Sequence, residues 1–253
     1  MNEKPIVFID SGLGGLSTLT CLLIKGNHDI VYFADNKFAP YGELSKIQLQ
    51  NRLKSIILDL KQRHDPIGFV LACNTATTSS ISYLRHEFKS DIIIGTEPAV
   101  SLTIKNGFKK PLLIATPQTI KNYKKHKHIK GLPLHNFARN IEAFLLNNSP
   151  FRYYLLLKDI FYVKRKAKHH DSLVLGCTHY TLIKDIIAKF IQIPMFDGNE
   201  GVSNEIRRKF IKNTHSSANC HSVKFEFSNN YASIKENYKK ILKQILANQQ
   251  KLC

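Results

Sequence analysis

The chain has 253 residues, and 37 Lys and Arg against 19 Asp and Glu give it a formal charge of +18. That length suits one large or two small domains with a real hydrophobic core, and no apolar run approaches the ~20 residues of a membrane span. Met1-Asn2-Glu3-Lys4-Pro5 leads straight into an apolar run without a signal-peptide pattern, so a soluble, cytoplasmic protein with no membrane partner is expected.

Strand-like runs alternate with helix-length segments along the chain. Residues 6–10 are a predicted strand, followed by a glycine turn and a helix over 16–25. A second strand covers 30–35, and a helix over 46–63 carries Leu49, Leu53, Ile56, Ile57 and Leu60 on one face. Residues 69–73 lead into a helix over 79–87, then a strand over 91–97 and a short helix over 99–106. A second series starts with a strand over 112–116, a helix over 141–146 and a strand over 173–177. A helix over 182–190, a short strand over 194–196 and a helix over 202–212 follow. The last pair is a strand over 223–227 and a helix over 234–247. This rhythm predicts an α/β fold of two similar domains, each a mainly parallel sheet flanked by helices, with the active site in the interdomain cleft. The terminal strand and helix are expected to complete the first sheet. That places one domain at residues 1–96 plus 210–253 and the other at residues 97–209.

The five cysteines are Cys21, Cys73, Cys177, Cys220 and Cys253, and no two form a CxxC pair. Neither a disulfide framework nor a zinc site is expected from that spacing. Adjacent Cys220-His221 is poor geometry for a shared metal, and His126, His128, His169 and His170 lie in basic stretches. Cys21 reads as a small core residue, and Cys220 and Cys253 as incidental. The positive charge is scattered over residues 121–130, 164–168, 207–212 and 235–243, with no aromatic-interleaved stripe. Solvated surface lysine is therefore the preferred reading over a nucleic-acid partner, and the field should attract anionic substrates.

Two stretches carry the chemistry. Leu71-Ala72-Cys73-Asn74-Thr75 and Leu175-Gly176-Cys177-Thr178-His179 each follow an apolar run and precede a helix-like segment. Each sets a cysteine where a strand ends and a helix begins, a place where helix N–H groups attract anions and lower a thiol's pKa. Two such thiols, one from each half, can face each other across a single substrate. Other strand ends add polar groups: Asp10 and Ser11 before a glycine turn, Pro40-Tyr41-Gly42, Thr116 and Thr119, and Asp197-Gly198. The turn does not fit GxGxxG and lacks the GK[ST] of a phosphate loop.

Ile9-Asp10-Ser11-Gly12-Leu13-Gly14-Gly15-Leu16-Ser17 resembles the FDSGxGGLS opening of the glutamate racemase family. Tyr32-Phe33-Ala34-Asp35 with Pro40-Tyr41-Gly42 is similar to its YFGD and PYG segments, and Glu97-Pro98-Ala99-Val100 to its EPAV. The two cysteine stretches match its cysteine motifs. The resemblance covers roughly residues 6–201 and implies a cofactor-independent, usually dimeric racemase that supplies D-glutamate for peptidoglycan. It implies that Cys73 acts on D-glutamate and Cys177 on L-glutamate, assisted by Asp10 and His179. Asp10, Ser11, Tyr41, Gly42, Asn74, Thr75, Thr116, Thr119, Thr178 and Glu142 would bind the substrate. The EPAV segment and the Cys-Thr-His motif favour glutamate over aspartate. The sequence departs from the family pattern at Ala34, Thr96, Ala115 and Asn122, and at Asp197-Gly198-Asn199-Glu200.

Overall fold

The structure is a computed structural model. It describes residues 4–24, 28–123, 129–210, 222–229 and 232–250, so His126, His128, Cys220, His221 and Cys253 lie outside the described residues. One sheet holds β1 (Ile6–Asp10), β2 (Ile30–Ala34), β3 (Gly68–Leu71), β4 (Ile93–Gly95) and the late β9 (Val223–Phe227), in the order β4-β3-β1-β2-β9. The other holds β5 (Pro111–Ala115), β6 (Lys130–Pro133), β7 (Ser172–Leu175) and β8 (Met195–Phe196), in the order β6-β5-β7-β8. Every neighbouring pair in both sheets is parallel.

Parallel strands need helical crossovers, and these cover both faces of each sheet. Along β1, Ile6 and Phe8 face one way and Val7 and Ile9 the other, as a two-residue side-chain period requires. Ile6 and Phe8 join a core with α1 (Leu16–Leu23), α10 (Asn199–Phe210) and α11 (Ala232–Gln250). Val7 and Ile9 pack against α2 (Lys46–His64) and α3 (Asn74–Glu87). The second sheet buries one face under α6 (Phe137–Leu146), α7 (Pro150–Ala167), α8 (Thr178–Leu182) and α9 (Lys184–Phe190). Its other face packs against α4 (Val100–Lys105) and Ile120 of α5 (Pro117–Asn122).

Several boundaries differ from the sequence reading, each for a local reason. Helix α3 begins at Asn74, five residues before the expected 79, because Cys73 itself occupies its N-cap. Its first turn is rich in threonine, which masks a helical start in propensity terms. The expected helix over 182–190 is two pieces that break at Ile183, and β4 is shorter than the expected strand. Helix α5, strand β6 and helix α7 were not expected. Helix α7 carries the signal that would have found it: Ser149 caps the Arg152 N–H and Pro150 follows at the first helical position. Cys21 is half-buried and not a core residue, because α1 turns it towards a cleft also lined by Ser17, Leu182 and Asn199. Val202 and Ile206 of α10 belong to the first sheet's core cluster, although the helix follows β8 directly in the chain.

Both sheets reverse their winding direction at one place. In the first, β1 neighbours β3 while the chain runs outward to β2 on one side and to β4 on the other. In the second, β5 neighbours β7 in the same way, with β6 and β8 outward. The carboxyl ends of strands flanking such a reversal open a crevice. Cys73 stands two residues past Leu71, the register partner of Ile9, and Cys177 two past Leu175, the partner of Ile114. The two thiols therefore occupy equivalent positions in related sheets.

Helix α2 opens with a capping box: the Gln48 N–H donates to Ser45 Oγ at 3.3 Å, and the Ser45 N–H donates to Gln48 Oε1 at 2.9 Å. Ser45→Ala removes that acceptor on an exposed helix end. It is expected to cost about 1 kcal/mol in urea unfolding and to leave the circular dichroism spectrum of the folded protein unchanged.

Candidate active site

Asp10 ends β1 and is fully buried. Its Oδ2 accepts the Gly15 N–H at 2.6 Å and the Tyr32 hydroxyl at 3.2 Å, while Oδ1 has no hydrogen bond to any described residue. Burial pushes its carboxyl above the ordinary range, opposed by the nearby His179 and by the Gly15 and Ser11 N–H groups. Cys73 is also buried, and burial drives its thiol well above the usual range. The Asp10 charge and the Cys177 thiol add to that rise, while the Ala76 and Thr75 N–H groups at the start of α3 oppose it.

Across the cleft, the Cys177 sulfur lies 3.9 Å from His179 Nδ1, and His179 Nε2 is 2.6 Å from Glu142 Oε2. Burial of the imidazole disfavours its charge. The bonds to Cys177 and Glu142 outweigh that and hold its pKa well above the ordinary histidine value. The arrangement has two unlike halves: a thiol with a carboxyl beside it, and a thiol with a charged imidazole–carboxylate pair beside it.

The glycine turn after β1 lets these halves meet. A Cβ on Gly12 would overlap the Glu142 carboxylate, and one on Gly14 would lie 2.5 Å from both His179 Nδ1 and Thr178 Oγ1. Only hydrogen fits where the first sheet's loop touches the second domain. Thr75 from α3 bonds across the cleft to Thr116 at 2.9 Å and Thr119 at 3.1 Å, and those two hydroxyls are 3.0 Å apart. Gly42 abuts Thr116, and the Tyr41 hydroxyl donates to Asp35, which Arg52 grips with two hydrogen bonds. Ser11, Glu142 and His179 line a cavity of about 270 Å³, together with Pro40 and Arg139. Arg139 on α6 pairs with Glu43 across the opening.

Of the residues named from the sequence, Ser11, Glu142 and His179 line this cavity and Asp10, Cys73 and Cys177 interact with them or with one another, whereas Asp197 pairs with Lys184 outside it. Asn74 differs in orientation: its Nδ2 donates to the Thr96 carbonyl at 3.1 Å and so ties α3 to the end of β4. Two departures from the family pattern have hydrogen-bond partners. Asn122 donates to Ser79 Oγ at 2.9 Å, linking α5 to α3, and Asn199 accepts from the Thr18 hydroxyl at 2.8 Å. Sequence reasoning missed Tyr32, Arg139 and Glu43. Tyr32 lay within a quoted motif, but nothing in the sequence told its hydroxyl from a core tyrosine. Among the described residues no group of His, Cys, Asp and Glu could hold a metal ion, and no helix is long and apolar enough to cross a membrane.

The fold of two mainly parallel sheets flanked by helices matches that of the aspartate/glutamate racemase superfamily. No protein-family model matches the chain. The curated glutamate racemase of Clostridium novyi (strain NT) is 33% identical over 226 residues, spanning 84% of this chain and 86% of its own length. That of Clostridium botulinum (strain Alaska E43 / Type E3) is 35% identical over 222 residues, 82% of this chain and 84% of its own. The crystal structure of Escherichia coli glutamate racemase, in complex with L-glutamate and the activator UDP-MurNAc-Ala, aligns with a TM-score of 0.78 at 25% identity, covering 95% of both chains. The chain belongs to the glutamate racemase family, and its activity is the interconversion of L- and D-glutamate.

Two outcomes are expected. Gly14→Ala should hold the turn away from His179 and Thr178, cutting kcat/KM about 100-fold in a protein whose circular dichroism is unchanged. The raised His179 pKa sets a pH dependence of stability. Because the folded value exceeds the unfolded one, the contribution is fully present below about pH 6.5 and is lost as pH rises through the folded value. The urea midpoint of the wild type should therefore exceed that of Glu142→Gln most at acid pH, with the gap closing into the alkaline range.

Proposed function

We propose that the chain racemises glutamate by a two-base mechanism in which Cys73 and Cys177 work on opposite faces of Cα. The observation that carries this reading is their equivalent placement past β3 and β7, each beside its own ionisable partner, Asp10 or His179. In one direction a thiolate takes the Cα proton while the opposite thiol gives its proton to the other face. The products are the inverted amino acid and an exchanged thiol–thiolate pair, which is the starting state for the reverse direction. Cys73 deprotonates D-glutamate and Cys177 deprotonates L-glutamate. A buried thiol resists ionisation, so the substrate ammonium, attached to the Cα that lies between the sulfurs, is the charge that offsets the cost.

The substrate carboxylates are held by Ser11, Asn74, Thr75, Thr116, Thr119 and Thr178, with Tyr41 and Gly42 closing the wall. Glu142 receives the ammonium, exchanging its present bond to His179. The L-glutamate bound to the Escherichia coli relative supports glutamate as the occupant. No cofactor enters the scheme, because the thiols supply both proton transfers. The proposed units are residues 1–96 with 210–253 and residues 97–209; β9 and α11 pack on the first sheet as that division requires, and α10 of the second unit packs there as well. The proposed setting is a cytoplasmic homodimer supplying D-glutamate for peptidoglycan. The positive field would draw the anionic substrate in.

Proton NMR in D2O tests the mechanism. With L-glutamate, and with the enantiomers separated on a chiral phase before their Cα–H signals are read, deuterium is expected in the D-glutamate formed before it accumulates in the remaining L-glutamate, as two separate bases require; L-aspartate in parallel should not exchange. Cys73→Ser and Cys177→Ser should each lose racemisation. Full turnover by either variant would refute the two-thiol mechanism.

A further inference from the structure

The carboxylate of Asp10 is held from one side only. Two donors, the Gly15 N–H and the Tyr32 hydroxyl, converge on Oδ2, whereas Oδ1 is buried and makes no hydrogen bond to any described residue. Concentrating the donors on one oxygen leaves the other as the carboxylate's free basic atom. The single proton of the Tyr32 hydroxyl is shared between Asp10 Oδ2 at 3.2 Å and the nearer Gly12 carbonyl at 2.8 Å, so one group bridges the carboxylate and the turn that meets Glu142. A Cβ on Gly15 would lie 2.8 Å from this hydroxyl, which shows how closely the turn rests on it.

Tyr32 is itself fixed. Its side chain is fully buried in β2, with its ring against Phe225 of β9 at 5.7 Å and Tyr238 of α11 at 6.2 Å between centroids. The chain's last strand and helix thus hold the ring, and the ring holds the turn. We propose that Tyr32 is a positioning residue for the reaction on the Cys73 side: its hydroxyl engages Asp10 Oδ2 and the Gly12 carbonyl so that Oδ1 stays available to the thiol and substrate. The inference rests on Cys73 and Asp10 acting as proposed above.

The groups that influence Asp10 are His179, Glu142 and the Gly15 and Ser11 N–H groups, and Asp10 in turn acts on Cys73, Tyr32 and Tyr238. Burial already pushes the Asp10 carboxyl up, and the hydroxyl 3.2 Å from Oδ2 is a donor that only the ionised carboxylate fully uses. Its loss moves the carboxyl further up.

The test is Tyr32→Phe, which keeps the ring and deletes the hydroxyl. Loss of a hydrogen bond to a charged group should lower kcat/KM about 10- to 100-fold, equally in both directions because the enantiomers are equal in energy. The acid limb of the kcat profile should move up by about one pH unit, with KM little changed. Phe225→Leu serves as the packing control: it should lower Tm and leave the pH profile in place. An unmoved profile in Tyr32→Phe would overturn the proposal, whether activity is retained or falls as in the control. Cys73→Ser, assayed alongside, separates this from the underlying mechanism. If it turned over like the wild type, the two-thiol reading would fail; if it is inactive while Tyr32→Phe keeps the native profile, only the role of Tyr32 fails.

Discussion

The contact of the glycine turn with the Glu142–His179 pair governs the rest of the molecule. Two doubly wound sheets can each present a strand-end crevice, but a shared cleft requires the loops of one to reach the side chains of the other. At Gly12 and Gly14 the available space is filled by a carboxylate, an imidazole and a threonine hydroxyl of the second domain. Any larger residue would separate the domains by the thickness of a methyl group. Displacements of that size matter because proton transfer depends steeply on the distance between donor and acceptor.

Closeness has an electrostatic cost that the surroundings offset unevenly. Asp10, Cys73, Cys177 and His179 are buried close together beside the half-buried Glu142, and poorly screened charge is expensive there. On the Cys177 side a charged imidazole and a carboxylate neutralise each other at 2.6 Å. On the Cys73 side burial drives the thiol up, the Asp10 carboxyl adds to that rise, and the backbone N–H groups of Ala76 and Thr75 oppose it. Under the two-thiol reading this inequality is useful, because one sulfur must hold a proton while the other does not. The substrate ammonium completes the balance only when bound.

The periphery supports that centre through polar links with few alternatives. The Thr75–Thr116–Thr119 hydroxyls and the Asn122–Ser79 bond join α3 to the loop and helix after β5. Arg52 and Asp35 fix Tyr41 from outside, with the guanidinium stacked 4.3 Å over the Phe38 ring. Much of the +18 charge lies on exposed lysines far from the cleft, where ion pairs such as Lys239–Glu236 are solvent-screened and contribute little.

The sequence by itself determined the strand–helix alternation, because strands covered on both faces must be continuously apolar, as at residues 6–9 and 30–33. It also determined the two thiol positions, since a cysteine flanked by polar residues just past an apolar run is a local pattern. Elements whose signal lay in caps or edges were not legible: β6 is a half-exposed edge strand reading Lys-Gly-Leu-Pro, and α3 hides its start behind threonines. Only the tertiary structure decided which partner each ionisable group has. The pairing of Glu142 with His179, and of the Tyr32 hydroxyl with Asp10, joins residues far apart in the chain. Sequence spacing encodes local geometry, whereas these distances depend on how sheets, turns and the returning terminal helix pack together.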